Sequence, residues 1–161
     1  TLILDKGNVG LTDLITTAIA DVENQVKVSG KNIEISYSDK QIQQAREKME
    51  IFIDADKDRI LQVLSNLLSN ALKFTKEGRI AVTTEKEDNE VIVRVRDSGS
   101  GIDREIFPRL FEKFASKSEK GTGLGLFISK NITEAHGGRI WAENNPDGLG
   151  AMFAFSLPIA G

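Results

Sequence analysis

Apolar residues recur at helical spacing in three stretches of the chain. They predict amphipathic helices at about Leu11–Val28, at about Asp56–Phe74 and from near Gly121 to the Gly137-Gly138 pair. We expect residues 1–10 to precede the first helix as a connector or a first strand. Thr12 or Asp13 is the expected N-cap of that helix, and Gly30 its end.

Alternating apolar and polar residues predict six strands. These are Ile33–Tyr37, Ile51–Ile53, Ile80–Lys86, Val91–Asp97, Ile140–Glu143 and Ala151–Leu157. Glu87–Glu90 is a predicted hairpin connection, and Gly148 and Gly150 lie in the turn between the last two strands. The polar stretch Asp39–Glu50 predicts a solvated loop or a short surface helix. Strands combined with amphipathic helices imply a two-layer α/β sandwich.

Composition narrows the class of protein. The 161 residues carry a formal net charge of -3, include no cysteine and contain one histidine. We therefore expect one domain spanning residues 1–161, no disulfide framework, no nucleic-acid partner and a cytoplasmic location. No stretch is apolar enough to cross a bilayer, so we expect no direct membrane contact. Thr1 in the place of Met suggests a fragment, and the parent protein could carry a membrane anchor elsewhere.

The second predicted helix carries a polar stripe opposite its apolar side. Asn66, Asn70 and Lys73 lie on it at spacings of four and three residues. A solvated helix face explains such a stripe in most proteins. Asparagine is a mediocre helix former, however, and its repeated use on one face favours a binding role.

Two glycine segments follow predicted structural elements. The first is Arg96-Asp-Ser-Gly-Ser-Gly-Ile102, where glycine permits close backbone approaches; a tight turn with a capping aspartate is the alternative. The second, Gly121-Thr-Gly-Leu-Gly-Leu126, precedes the third helix, where glycines expose backbone N–H groups to phosphates; a plain helix-entry turn is the alternative. Neither segment has the spacing of a dinucleotide fingerprint or a GxxxxGK[ST] phosphate loop.

Residues 104–120 lie between these segments and carry five basic residues against three acidic ones. Phe107, Phe111 and Phe114 recur within them at spacings of four and three. Three phenylalanines at this spacing are most often a packing stripe. A mobile lid also docks through apolar contacts, so both interpretations remain open.

Taken in order, these motifs resemble the ATP-binding catalytic domain of sensor histidine kinases, in the superfamily that includes type II topoisomerase and Hsp90 ATPases. Asn66–Thr75 is similar to the family's N box, Asp97–Ile102 to its DxGxGI box, residues 103–120 to its ATP lid and Phe111–Phe114 to its F box. The resemblance implies a mixed, mostly antiparallel sheet packed on helices.

The same resemblance implies a binding site for ATP and Mg²⁺. Asn70 would offer an oxygen to Mg²⁺, Lys73 would neutralise phosphate charge, and Asp97 would accept a hydrogen bond from the adenine amine. Asn66 stands where hydrolysing relatives carry a water-activating glutamate, which favours transfer to a protein nucleophile. The remaining residues implied to contact the nucleotide are Gly99, Gly101, Ile102, Phe114, Gly121, Thr122, Gly123, Leu124, Gly125 and Leu126.

The implied activity is transfer of the γ-phosphoryl group of ATP to a histidine on a separate dimerisation domain, for relay to a response-regulator aspartate. That domain is absent from this chain, so we expect an isolated monomer. His136, at a predicted helix end, lies outside any acceptor motif and is expected to contact the last helix carbonyls. The chain departs from the family at Met152, where threonine is common.

Three alternatives remain open at this point. The first is an ATPase of the same fold, which Asn66 in the place of glutamate disfavours. The second is a serine kinase acting on a protein antagonist, disfavoured by the F box and by Lys73 in the N box. The third is an ATP-responsive interaction module that transfers no phosphoryl group.

Overall fold

A computed structural model of the chain describes residues 2–39, 50–113 and 124–159. Three helices are present in these ranges: α1 (Leu11–Ser29), α2 (Lys57–Phe74) and α3 (Gly125–Ala135). The strands are β1 (Gly7–Gly10), β2 (Asn32–Asp39), β3 (Phe52–Ala55), β4 (Glu77–Glu87), β5 (Glu90–Asp97), β6 (Ile140–Asn144) and β7 (Ala151–Pro158). A 3₁₀ turn covers Phe107–Arg109. No helix in the described ranges is both long and apolar enough to span a bilayer.

The five long strands form one mixed sheet in the order β2-β4-β5-β7-β6, in which only β2 and β4 are parallel. β1 and β3 form a separate antiparallel pair. The three helices cover one face of the five-stranded sheet, and their apolar sides share a single core with it. This arrangement confirms the predicted two-layer sandwich with a mostly antiparallel sheet.

The six predicted strands are present, most of them longer than predicted, and residues 7–10 form a first strand. Asp88 takes a left-handed backbone conformation in the predicted hairpin connection, with φ of 53°. Within Asp39–Glu50, Asp39 ends β2, and residues 40–49 lie outside the described ranges.

The first helix has the predicted extent but a different N-terminal cap. Gly30 ends the helix in the left-handed conformation, as predicted, and donates its N–H to the carbonyl of Val26. The prediction of Thr12 or Asp13 as N-cap is wrong, because the N-cap position is Gly10 and neither side chain caps the helix. Instead, Glu50 Oε1 accepts the Thr12 N–H at 2.8 Å across 38 residues of sequence.

Replacing Glu50 by alanine is therefore expected to destabilise the fold by about 1 kcal/mol, the usual cost of losing an N-cap acceptor. Asp13→Ala is the matched control, since Asp13 contributes only a screened charge to the first turn. Urea denaturation of both variants measures the difference. A larger loss for Asp13→Ala than for Glu50→Ala would contradict this assignment of the cap.

The second and third helices differ in how well their starts were predicted. Asp56 is the N-cap of α2 and accepts the Arg59 N–H, as the predicted start of that helix requires. The predicted start of α3 near Gly121 is wrong, because the helix begins at Gly125 after Leu124 as N-cap. Three glycines in five residues oppose helix formation, since glycine loses the most backbone freedom there. Gly137, with φ of 81°, follows the end of α3 as predicted.

Met152, where the family commonly has threonine, lies on the face of the sheet opposite the helices. Alternation along β7 directs Phe153 and Phe155 toward the helices and Met152 toward the opposite face. Met152 is 1% exposed and packs there with Ile92 and Ala154 beneath Trp141. Methionine at this position therefore stabilises the outer face of the sheet.

Candidate nucleotide-binding site

Asn66, the first residue of the polar stripe of α2, contacts α3 rather than open solvent. Asn66 Nδ2 donates to the carbonyl of Gly125 at 3.2 Å and to Ser129 Oγ at 3.1 Å. Ser129 is fully buried, so these bonds form inside the contact between the two helices. A solvated helix face does not describe this arrangement. The stripe instead borders the N-terminus of α3, where the second glycine segment ends.

Asn70 and Lys73 continue this stripe toward the C-terminus of α2, and both are half-buried. No residue in the described ranges forms a hydrogen bond with the Asn70 side chain, so its amide oxygen is available to a ligand. The Lys73 Nζ atom lies 5.3 Å from the centre of the Phe74 ring, within the range of a cation–π contact. Within one helical turn, the stripe thus presents the neutral amide oxygen of Asn70, which can act as a metal ligand, and the positive charge of Lys73.

A lysine that the sequence did not single out caps the C-terminus of this helix. The Lys31 Nζ atom, at the start of β2, donates to the carbonyls of Leu72 at 3.0 Å and Thr75 at 3.3 Å. A cation at this position compensates the negative end of the helix dipole. No local signal in the sequence could reveal it, since 41 residues separate Lys31 from Leu72.

Asp97 ends β5 as a buried carboxylate with a defined orientation. Its Oδ1 atom accepts the N–H of Gly99 at 2.9 Å and the N–H of Ala151 at 3.3 Å. Burial raises the pKa of Asp97 above the ordinary value, and the two N–H donors act in the opposite direction. Because both donors reach Oδ1, Oδ2 is the oxygen left to accept a hydrogen bond from a ligand.

The loop after Asp97 packs directly on the end of α2. A side chain at Gly99 would overlap the backbone of Phe74, whose carbonyl accepts the Ser100 N–H at 3.3 Å. Gly101 has φ of 81°, a conformation that favours glycine. The close approach anticipated for this glycine segment is confirmed, and it brings Asp97 beside the C-terminus of α2.

Asn144 holds the far end of the same loop and was missed by the sequence analysis. Its Oδ1 atom accepts the Ile102 N–H at 2.7 Å, and its Nδ2 atom donates to the Ile102 carbonyl at 3.4 Å. One amide side chain therefore satisfies both backbone groups of Ile102, as a neighbouring strand would. Ile102 is the last residue before the segment that resembles the lid.

The structure describes the first part of that segment. Phe111 is half-buried against the core, and Phe107 is 38% exposed, so the phenylalanines do not form one continuous packing stripe over the described residues. Lys113 Nζ lies 5.5 Å from the centre of the Phe127 ring on α3. Phe114 and Gly121–Gly123, which were also assigned to the site, lie outside the described ranges. Leu124, Gly125 and Leu126 are half-buried, and Gly125 lies beside Asn66.

The geometry therefore joins three predicted elements at one end of the sheet: the polar stripe of α2, the buried carboxylate of Asp97 and the start of α3. Residues 55–161 match the family described as histidine kinase-, DNA gyrase B-, and HSP90-like ATPase. The chain belongs to this family. The matched range contains α2, Asp97 and α3.

Sensor histidine kinases are among the relatives of this ATPase-family domain. The sensor protein FixL of Bradyrhizobium diazoefficiens is 44% identical over 110 residues, and the sensor protein ChvG of Agrobacterium fabrum is 37% identical over 161 residues. These matches cover 66% and 92% of this chain. The chain spans about a fifth to a quarter of the relatives' own length, 22% of FixL and 26% of ChvG.

Solved histidine kinase structures share the fold of this domain. The catalytic domain of histidine kinase ThkA is 32% identical with a TM-score of 0.83, and the match covers 97% of both chains. Full-length ShkA in complex with AMPPNP is 29% identical with a TM-score of 0.82, covering 99% of this chain and 32% of ShkA. ThkA in complex with the response regulator protein TrrA is 31% identical with a TM-score of 0.77, covering 96% and 42%. The domain is thus of the ATP-dependent catalytic type found in histidine kinases.

The only histidine of this ATPase-family domain, His136, is buried and hydrogen-bonded within the fold. His136 is 5% exposed, and its Nε2 atom accepts the Asp56 N–H at 3.0 Å. Because Nε2 accepts, Nδ1 carries the proton and donates to the Ile132 carbonyl at 2.8 Å. Both ring nitrogens are engaged, and the expected contact with a last helix carbonyl is present. His136 ties the end of α3 to the start of α2.

Proposed function

We propose that this domain catalyses transfer of the γ-phosphoryl group of Mg²⁺-ATP to a histidine on a separate dimerisation domain of its parent protein. The supporting observation is the joining of Asp97, the Asn66–Lys73 stripe and the start of α3 at one end of the sheet. The nucleotide would lie between α2 and the lid segment, residues 103–120. Phosphoryl transfer requires mainly positioning and charge neutralisation, which these groups can supply.

Adenine recognition is assigned to Asp97. An ionised carboxylate accepts hydrogen bonds and donates none, so it favours the exocyclic amine of adenine over the carbonyl oxygen of guanine. The bonds from Gly99 and Ala151 hold Oδ1 in place and direct Oδ2 to the ligand. Gly101 and Ile102 complete the loop beside the base.

The phosphates and Mg²⁺ are assigned to the other two elements. Asn70 fits a Mg²⁺ ligand, because that ion prefers oxygen donors and no described residue engages the Asn70 amide. When bound, Mg²⁺ would neutralise charge on the transferring phosphoryl group. Lys73 adds a positive charge on the same face, and the backbone N–H groups of the segment Gly121–Leu126 are assigned to the phosphates. Phe114 is assigned to the lid.

Asn66 supports transfer over rapid hydrolysis. An amide cannot take a proton from water at neutral pH, and the Nδ2 atom of Asn66 is already bonded to Gly125 and Ser129. We therefore assign Asn66 to positioning α3 against α2 at the site of transfer. The attacking imidazole would come from the acceptor domain, since both nitrogens of His136 are engaged.

Partners follow from the same proposal. The phosphorylated acceptor domain would pass its phosphoryl group to a response regulator, a class of protein with which ThkA forms a complex. With its dimerisation domain elsewhere in the parent protein, this domain is expected to be a monomer. We propose a cytoplasmic location, which the lack of cysteine also fits.

The first experiment is a calorimetric titration of the protein with a non-hydrolysable ATP analogue in the presence of Mg²⁺. It compares the wild type with Asp97→Asn. We expect the variant to bind roughly 10- to 100-fold more weakly, because it loses a hydrogen bond to a charged acceptor. The GTP analogue should bind the wild type weakly. Equal affinity of wild type and variant for the ATP analogue would contradict the assignment of Asp97.

Thermal unfolding provides the control for this variant. Burial raises the pKa of Asp97, so the folded state disfavours its ionised form. The resulting stabilisation is fully present below the unfolded pKa of about 3.9 and is lost as pH rises through the folded pKa. Asp97→Asn should therefore be at least as stable as the wild type at pH 7, with its relative advantage shrinking in acid. Weaker nucleotide binding by such a variant cannot be attributed to unfolding.

A further inference from the structure

The loop between β6 and β7 is organised around a single asparagine. Asn145 donates its backbone N–H to the Gly150 carbonyl at 3.0 Å and accepts the Gly148 N–H at 3.0 Å. Its side-chain Nδ2 atom donates to the Leu149 carbonyl at 2.8 Å. Three bonds from one residue therefore close the loop, and they deliver Gly150 and Ala151 to the end of β5.

The same side chain also reaches Asp97. The Asn145 Nδ2 atom donates to the backbone carbonyl of Asp97 at 2.8 Å. Beside it, the Ala151 N–H holds the Asp97 carboxylate at Oδ1. Asp97 is therefore held through its backbone and its side chain by one loop, which is remote from it in sequence by 48 residues.

The orientation of the Asn145 amide is determined by its partners. Two carbonyl oxygens face Nδ2, and exchanging the positions of nitrogen and oxygen would place three acceptors together. The Oδ1 atom is buried and has no hydrogen-bond partner among the described residues. An unpaired buried oxygen costs about 1–3 kcal/mol, so the amide here is a net benefit only through its two donated bonds.

We infer that Asn145 is a positioning residue for adenine recognition, acting through the backbone and carboxylate of Asp97. This inference rests on the proposed function, in which Asp97 accepts a bond from the adenine amine. Without Asn145, the end of β5 and the loop that leads into Ala151 lose the amide that donates to both of them. Asp97 Oδ2 would then no longer be held in the direction of the base, while the phosphate-binding elements on α2 and α3 would stay in place.

The experiment compares non-hydrolysable analogues of ATP and ITP, each titrated with Mg²⁺ into wild type, Asn145→Ala and Asn145→Ser. ITP carries a carbonyl oxygen in the place of the adenine amine, so the ratio of the two affinities reports the contact with Asp97. The ratio does not depend on the folded fraction, because both nucleotides meet the same protein. A loss of stability alone would therefore leave it unchanged.

We expect Asn145→Ala to lower the ATP-to-ITP affinity ratio roughly tenfold, and Asn145→Ser to lower it less, since serine retains one donor. Asn89→Ala is the matched control, because Asn89 is exposed in the hairpin at the opposite end of β5. Should Asn145→Ala fail to fold, Asn145→Ser carries the test. A folded Asn145 variant with the wild-type ratio overturns the inference.

Failure of the inference can be distinguished from failure of the proposed function. If the wild type and the Asp97→Asn variant both bind the ATP and ITP analogues with equal affinity, adenine recognition by Asp97 itself is refuted. A wild type that prefers ATP, combined with Asn145 variants that retain this preference, would refute only the positioning role of Asn145.

Discussion

Replacing Asn70 by alanine is expected to slow phosphoryl transfer to an acceptor domain by roughly 100- to 1,000-fold, the usual cost of removing one group that stabilises charge in the transition state. The substitution removes an amide that no described residue engages, so the fold loses no known hydrogen bond. Alanine is also the best helix former, which should preserve α2. The measurement is transfer of a radiolabelled γ-phosphoryl group to the purified acceptor domain of the parent protein.

Two comparisons make this result specific. Ser69→Ala is the matched control, because Ser69 is the exposed neighbour of Asn70 on the same helix. The Mg²⁺ concentration for half-maximal transfer should also rise in Asn70→Ala and stay constant in Ser69→Ala, as expected if only Asn70 is a ligand. Transfer at the wild-type rate in Asn70→Ala would exclude it as the Mg²⁺ ligand. ATP binding without transfer by the wild type would instead favour the interaction-module alternative.

Most of the fold was predictable because each element buries one side. The apolar side of α2, including Ile60, Leu64 and Leu67, is buried as its periodicity predicts. The pairing of the strands could not be predicted in the same way. Ile35 pairs in parallel with Ile80, and no local sequence pattern indicates a partner 45 residues away. The prediction of the α1 N-cap failed for the same reason, because the acceptor is Glu50, which lies beyond β2 in the sequence.

The site shows the same division between local and distant signals. Asn66, Asn70 and Asp97 lie in compact motifs, and their resemblance to a known family made them recognisable. Lys31 and Asn145 act on backbone carbonyls that are distant in sequence. Their side chains belong to residue types that occur throughout protein surfaces, so only the structure reveals what they hold. Motifs thus identified the groups expected to contact the nucleotide, and the fold revealed the side chains that hold distant backbone carbonyls near them.

Gly150→Ala is expected to destabilise the domain by about 3 kcal/mol or more and to abolish adenine-selective binding. A Cβ atom at Gly150 would overlap the backbone carbonyl of Asp97 and would lie 2.8 Å from its Oδ1. The loop and the end of β5 would have to separate, which removes the bond from Ala151 to Asp97. Urea denaturation and the ATP-to-ITP affinity ratio measure the two effects.

Gly148→Ala separates this close approach from ordinary backbone strain. Gly148 has φ of 78° and Gly150 has φ of 83°, so alanine is similarly strained at both positions, by about 1–2 kcal/mol. Gly148 has no atom within 4 Å of an added Cβ, however. The difference between the two variants therefore measures the contact with Asp97 alone. Equal losses of stability in the two variants would mean that backbone strain dominates and that β5 can move away from the added Cβ without cost. Unchanged adenine selectivity in Gly150→Ala would show that Asp97 is oriented without this loop.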